Sequence, residues 1–204
     1  MGGAVAVPGN TSPHAEFNFY VDPEAANAVF AAPVPLRLLP LDVTEQLVLL
    51  RARLRQLAQE RDSAVFQFVR EFTVLYFDFH LERVGINGGY LHDPAAVTAA
   101  IHPEWFTWRR ARLRVETDDA DRGRVRAAWD ENSLRHSELP LSLPRAQPAV
   151  STVEPSRGEG EGRSEESQEQ GRLRVEWDEA ATAQVATAVE VARVVDFIAD
   201  RVCR

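Results

Sequence analysis

Apolar residues recur along the chain at two spacings, and the spacing assigns the elements. Residues 34–39 read as a short strand. Leu47, Leu50, Leu54 and Leu57 follow at intervals of three and four. That predicts a helix capped by Thr44, with Arg51, Arg53 and Arg55 largely solvated. Residues 62–83, rich in Phe and Val, predict a second helix, much of it buried. Residues 112–116 and 124–129 form a hairpin across the polar turn 117–123. Residues 172–177 alternate like another strand. Val185, Ala188, Val189, Ala192, Val195, Ala199 and Val202 then predict a helix over about 179–202. Strands alternating with helices place the chain in the α/β class.

Composition adjusts this picture in the middle of the chain. With 204 residues, 45% of them hydrophobic, there is material for one sizeable core. Residues 151–171, however, hold six Glu, two Arg and Val153 as their only hydrophobic residue. A segment of that composition cannot bury enough apolar surface to offset the entropy of ordering, so disorder is expected. Residues 139–148 carry three prolines and are expected to be extended. A strand and a helix after Gly171 are too little for a separate domain. Residues 172–204 are therefore expected to close the same domain as 1–136, with 137–171 as an acidic insertion.

Charge and cysteine usage narrow the partners. Thirty-one acids against 23 bases, all arginine, give a net charge of −8, which argues against a nucleic-acid partner. No run approaches the ~18 unbroken apolar residues of a membrane span. Residues 1–8 lack the basic and long apolar segments of a secretory signal. The single Cys203 can form no internal disulfide, as expected of a reducing, cytoplasmic setting.

Two polar constellations could carry chemistry. In the first, a Gly9-Asn10 turn precedes Glu16-Phe17-Asn18. Amide and carboxylate groups two residues apart lie on one side of an extended segment and match the vicinal hydroxyls of a sugar. The same residues also suit a polar turn that satisfies its own backbone. Asp22-Pro23-Glu24 reads as a helix cap. In the second, Asn87-Gly88-Gly89 is a turn and Leu91-His92-Asp93-Pro94 follows it. Asp93 suits a second cap-plus-proline helix start or a metal ligand, and His92 a general acid, a ligand or a surface residue. His14, His80, His102 and His136 read as surface or structural, Asp42 as a turn residue, and the four tryptophans as packing residues.

Taken in order, Met1-Gly2-Gly3-Ala4, Gly9-Asn10, Glu16-Phe17-Asn18, Asp22-Pro23-Glu24-Ala25-Ala26, Pro40-Leu41-Asp42-Val43-Thr44, Leu91-His92-Asp93-Pro94, Arg122-Gly123-Arg124 and Trp129-Asp130 resemble the inosine-uridine preferring nucleoside hydrolases. The resemblance covers about 1–132 and 172–204. It implies the later part of a mixed, mostly parallel sheet flanked by helices, and hydrolysis of the N-glycosidic bond of ribonucleosides to ribose and free base. It further implies that Asn10, Glu16 and Asn18 hold ribose hydroxyls, that Phe17 lines the sugar pocket, that His92 protonates the leaving base, and that Asp93 is a Ca²⁺ ligand. Members of the family commonly form dimers or tetramers, so a homo-oligomer is open to this chain.

The family's first strand, with its aspartate cluster of calcium ligands and its water-activating base, has no counterpart here. The expectation is a C-terminal portion with an uncovered sheet edge and apolar surface, showing little or no cleavage alone. The competing expectation is a noncatalytic interaction protein, with the acidic insertion as its working part.

Overall fold

A computed structural model describes residues 1–60, 63–131 and 182–202. Two short helices, α1 (Phe17–Val21) and α2 (Pro23–Ala31), follow the N-terminal segment. Asp22 starts α2 as expected, its carboxylate accepting from Ala25 N at 2.8 Å with Pro23 in the first turn. Then come β1 (Leu36–Leu38), α3 (Leu41–Thr44), β2 (Val48–Leu50), α4 (Arg51–Glu60) and α5 (Ala64–Val84). The rest is β3 (Gly88–Tyr90), α6 (His92–Ile101), β4 (Phe106–Val115), β5 (Val125–Trp129), β6 (Ala183–Val189) and α7 (Val191–Val202).

The expected mixed α/β class is present. The main sheet runs β1-β6-β4-β5, and β2 and β3 form a separate antiparallel pair. Parallel pairing among the described strands is confined to β1 and β6. Both other contacts of the main sheet, β4–β6 and β4–β5, are antiparallel. The short connection 116–124 joins β4 to β5 as an antiparallel pair, whereas parallel neighbours need a long crossover. The parallel majority implied by the resemblance is therefore not carried by these strands.

Both faces of the sheet are covered. Phe106, Trp108 and Ala186 face one side, against Val43, Leu47, Ala95, Val194 and Ile198 of α3, α6, α7 and the loop after α3. Ala111, Leu113, Val115, Ala183 and Val185 face the other, against Phe19 of α1. The period of two along β4 and β6 separates the two cores. On the second side, buried Asn27 of α2 bonds both backbone groups of Val115, donating from Nδ2 at 2.7 Å and accepting at Oδ1 at 2.8 Å.

Four sequence expectations change. The leucines at 47–57 do not form one helix: residues 48–50 are β2, recruited by pairing with β3, and α4 starts at Arg51. Thr44 closes α3 instead of capping α4. The valine and alanine pattern after residue 183 begins as strand β6, because that strand is buried between β1 and β4 and needs no polar face. Finally, α5 is where expected but buries only one side: Phe66, Phe77 and His80 lie inside, whereas Phe68, Phe72 and Leu75 are 68%, 71% and 81% exposed. The uncovered apolar surface thus lies on a helix. The expectations for 137–171, the strand at 172–177, His136 and Cys203 fall outside the described residues.

Candidate active site

The N-terminal segment is the hub that joins the two motif regions. Gly2 N donates to Leu39 O at 3.2 Å, and Leu41 N donates to Gly3 O at 2.9 Å, tying the segment to the start of α3. Asp42 accepts from Val5 N at 2.9 Å and Ala6 N at 2.7 Å, so it clamps the segment as well as turning the chain. Asn18 Nδ2 reaches Met1 O at 3.5 Å. The N-terminal segment thus bonds both to Asn18 of α1 and to the first residue of α3.

Glu16 sits at the centre of this arrangement, 2% exposed. Its carboxylate accepts from Gly3 N at 2.8 Å, Asn18 N at 3.0 Å and Phe19 N at 3.3 Å, which makes it the cap of α1. A carboxylate has about four lone-pair sites, so little acceptor capacity remains for a sugar hydroxyl. Asn10 behaves similarly: its Oδ1 accepts from Phe17 N at 2.9 Å and from Thr11 Oγ1 at 3.3 Å. Any sugar contact by Asn10 falls to its NH₂. Gly9 packs so closely on the backbone of Ala15 that a Cβ would collide with it, which fixes this turn. The arrangement is the self-satisfying polar turn that the spacing also allowed. Phe17 is 59% exposed and Asn18 is exposed beside it.

His92 opens α6, with Leu91 as N-cap and no side-chain cap. The cap-plus-proline expectation for Asp93 is therefore not met; Asp93 is exposed in the first helical turn. His92 Nδ1 lies 2.7 Å from Thr44 Oγ1, so the last residue of α3 orients the ring. When the hydroxyl donates to Nδ1, the neutral imidazole carries its proton on Nε2, where it can be given away. Burial pushes the His92 imidazole below its ordinary 6.5, His80 adds to this, and the carboxylates of Asp93 and Glu16 oppose it.

Sequence reasoning missed the wall behind His92. Tyr90 lies 5.2 Å from the His92 ring, His80 5.2 Å from Tyr90, and Tyr76 4.2 Å from His80. Tyr76 donates its hydroxyl to Tyr90 O at 2.8 Å, and burial, followed by Asp93 and Tyr90, pushes its phenol up to about 12. His80 Nδ1 is 2.8 Å from Tyr76 O; a carbonyl can only accept, so that nitrogen carries hydrogen. The available signals were Tyr76 and His80 four apart on one helix face and Tyr90 and His92 two apart. A groove of about 370 Å³ lies elsewhere, between α4 and α5, lined by Arg51, Arg55, Arg70 and Phe77 among others.

Calcium requires six to eight oxygen ligands. The motif assigns one donor, Asp93, and among the described residues no group of three or more His, Cys, Asp or Glu side chains could hold a metal. The described residues alone do not fit a calcium site.

The lowered titration of His92 has a consequence for stability. A histidine whose folded pKa lies below its unfolded value favours the folded state in its neutral form. That contribution is full above about pH 6.5 and declines as pH falls below it. Urea titrations at pH 7.5 and 5.5 are expected to show a larger loss for the wild type than for His92→Gln. Equal losses would contradict the burial of the ring.

Comparison with known proteins adds sequence and fold relationships. A family model described as inosine-uridine preferring nucleoside hydrolase matches residues 1–196. The chain is 38% identical over 117 residues to probable uridine nucleosidase 1 of Oryza sativa subsp. japonica, an alignment covering 57% of this chain and 36% of the relative. It is 38% identical over 121 residues to the pyrimidine-specific ribonucleoside hydrolase RihA of Shewanella woodyi, covering 57% and 37%. Among solved structures, a plant nucleoside hydrolase superposes with a TM-score of 0.74 at 25% identity, covering 99% of this chain and 52% of its own. The chain thus spans about half the length of that structure, and the matches cover little more than a third of the two curated relatives.

Proposed function

Because the chain belongs to the inosine-uridine preferring nucleoside hydrolase family, we propose that its site serves cleavage of the N-glycosidic bond of a ribonucleoside, releasing ribose and free base. The supporting observation is the placement of His92 at the start of α6, its ring oriented by Thr44 at 2.7 Å. Breaking the C–N bond builds positive charge on the sugar and negative charge on the departing base. A proton given from His92 Nε2 neutralises the base as it leaves, and the Glu16 carboxylate favours the developing cation. Asn10, through its NH₂, and Asn18 bind ribose hydroxyls, and Phe17 covers the sugar. The names of the curated relatives make uridine the first probe. The fold supports reading 1–136 and 172–204 as one domain interrupted by 137–171, since β6 lies between β1 and β4. Among the described residues no helix is long and apolar enough to cross a membrane, and the lone cysteine supports a cytoplasmic setting.

The described donors do not assemble a calcium site. The 204-residue chain is accordingly expected to bind nucleoside weakly and to show little or no turnover of uridine or inosine. Calorimetric titration of uridine and ribose is expected to give saturable heat with Kd in the millimolar range, about −4 kcal/mol. In Asn18→Ala the affinity is expected to fall about tenfold, the worth of one or two hydrogen bonds. Heat that survives that substitution unchanged removes the ribose assignment. Robust calcium-dependent release of base from the purified chain overturns the expected lack of turnover.

A further inference from the structure

Helix α1 is five residues long, too short to hold its own geometry in water, so whatever grips its ends sets its position. Glu16 grips the first turn, accepting from Asn18 N and Phe19 N. The last turn leaves backbone carbonyls without partners inside the helix. Two of them, Tyr20 O and Val21 O, accept from one distant side chain, Arg122. Its Nε donates to Tyr20 O at 2.9 Å and its Nη2 to Val21 O at 3.1 Å. Nη2 also lies 3.6 Å from Glu24 Oε2 of α2. The planar guanidinium thus spans the junction of the two helices and sets positive charge beside free carbonyls, where a cation is favoured.

Arg122 is itself held in place. It stands in the turn between β4 and β5, where Gly123 N donates to Glu116 O at 2.8 Å and Arg124 N to Asp121 O at 2.9 Å. Asp121 pairs with Arg124 at 3.1 Å and with Arg126 at 3.0 Å. Gly123, at φ +81°, lies so close to α1 that a Cβ there would stand 2.7 Å from Tyr20 Cα and 2.8 Å from Tyr20 N. Neither the backbone conformation nor the space suits another residue. An isolated antiparallel bridge joins Arg124 to Ala15, the residue before Glu16. The turn therefore meets the α1 segment in three ways: a backbone bridge at Ala15, close backbone contact at Tyr20, and a forked side chain on Tyr20 and Val21.

Phe17 and Asn18 open the same helix. Resting on the reading of these two as ribose-binding residues, we propose that Arg122 is a positioning residue of the ribose subsite. The β4–β5 turn holds α1 in the orientation in which Phe17 and Asn18 meet the sugar. Gly123 admits the close approach and Arg122 fixes it, so the two neighbours act as a unit without either touching ribose.

An NMR titration of the ¹⁵N-labelled full chain with ribose tests the assignment in the wild type, Arg122→Ala, Arg122→Lys and Arg114→Ala. Without the fork, α1 spends a smaller share of its time in the site-forming position, and apparent affinity falls by that share. About a tenfold loss is expected in Arg122→Ala. Amide exchange should quicken at Tyr20 and Asp22, whose N–H groups are bonded to Glu16 O and Asn18 O. Lysine keeps the charge but lacks the fork, so Arg122→Lys should still lose about threefold. Arg114 pairs with Glu116 on the same hairpin, and Arg114→Ala should bind as the wild type does. Undiminished affinity in Arg122→Ala, full recovery in Arg122→Lys, or an equal loss in Arg114→Ala overturns the proposal. Lost affinity without faster exchange in α1 would mean that Arg122 acts on the sugar directly, which overturns the positioning role. Should Arg122→Ala not fold, Arg122→Lys decides alone. A wild type that binds no ribose instead sinks the ribose reading, and this assignment with it.

Discussion

Trp108→Ala is expected to remove about 3–5 kcal/mol of stability, the usual cost of emptying a large buried aromatic site. Trp108 is 1% exposed and lies on β4 in the core formed with Val43, Leu47, Ala186, Val194 and Ile198. Its Nε1 donates to Pro103 O at 2.8 Å, and the Arg37 guanidinium sits 5.3 Å from the ring centroid. The deletion thus opens a cavity, leaves a carbonyl without its partner and removes the apolar platform under a cation. Domains hold only about 5–15 kcal/mol in total, so the variant should show an early urea midpoint or fail to fold. Trp108→Phe keeps most of the ring and loses the N–H, for which about 1–2 kcal/mol is expected. An alanine variant within 1 kcal/mol of the wild type would contradict the packing described.

Glu16→Gln is the second large effect, and it separates capping from sugar binding. The carboxylate accepts three backbone N–H groups, from Gly3, Asn18 and Phe19, in a nearly dry position. A carboxamide turns one acceptor oxygen into a donor NH₂ that must face one of those N–H groups. A loss of about 2–4 kcal/mol follows from leaving buried donors unpaired around a formerly charged group. The break also frees the N-terminal hub, so amide exchange at Gly3, Val5 and Ala6 should quicken before global unfolding. Glu16→Asp retains the charge but is one methylene short, and should fall between the two. Unchanged stability in Glu16→Gln would leave sugar binding as the main role of the residue.

The sequence was legible where a local rule decided the structure. Asp22-Pro23 starts a helix because cap and ring geometry act within one turn. The hairpin of β4 and β5 was readable because alternation and a polar turn coincide. Legibility failed where a partner distant in sequence decides. Residues 48–50 become strand only because Gly88–Tyr90 is there to pair with them. The Ala183–Val189 run is apolar on both faces, so its period cannot distinguish strand from helix until two neighbours are known. At the site, motif order pointed to Asn10, Glu16, Asn18 and His92. It could not show that the first two have oxygens occupied by backbone donors, nor that Thr44 orients His92. Those are facts of three-dimensional proximity across up to 48 positions.

The position of β6 has a consequence for synthesis. Strands β1 and β4 do not touch each other; each pairs with β6, which leaves the ribosome roughly seventy residues after β4. At about 5–20 residues per second, the two halves of the sheet wait several seconds with their inner edges open. Nascent chains stalled before residue 183 should therefore be captured by holdase chaperones and digested readily by protease. Release of a few further residues, enough to complete Val189, should end both vulnerabilities in a single step.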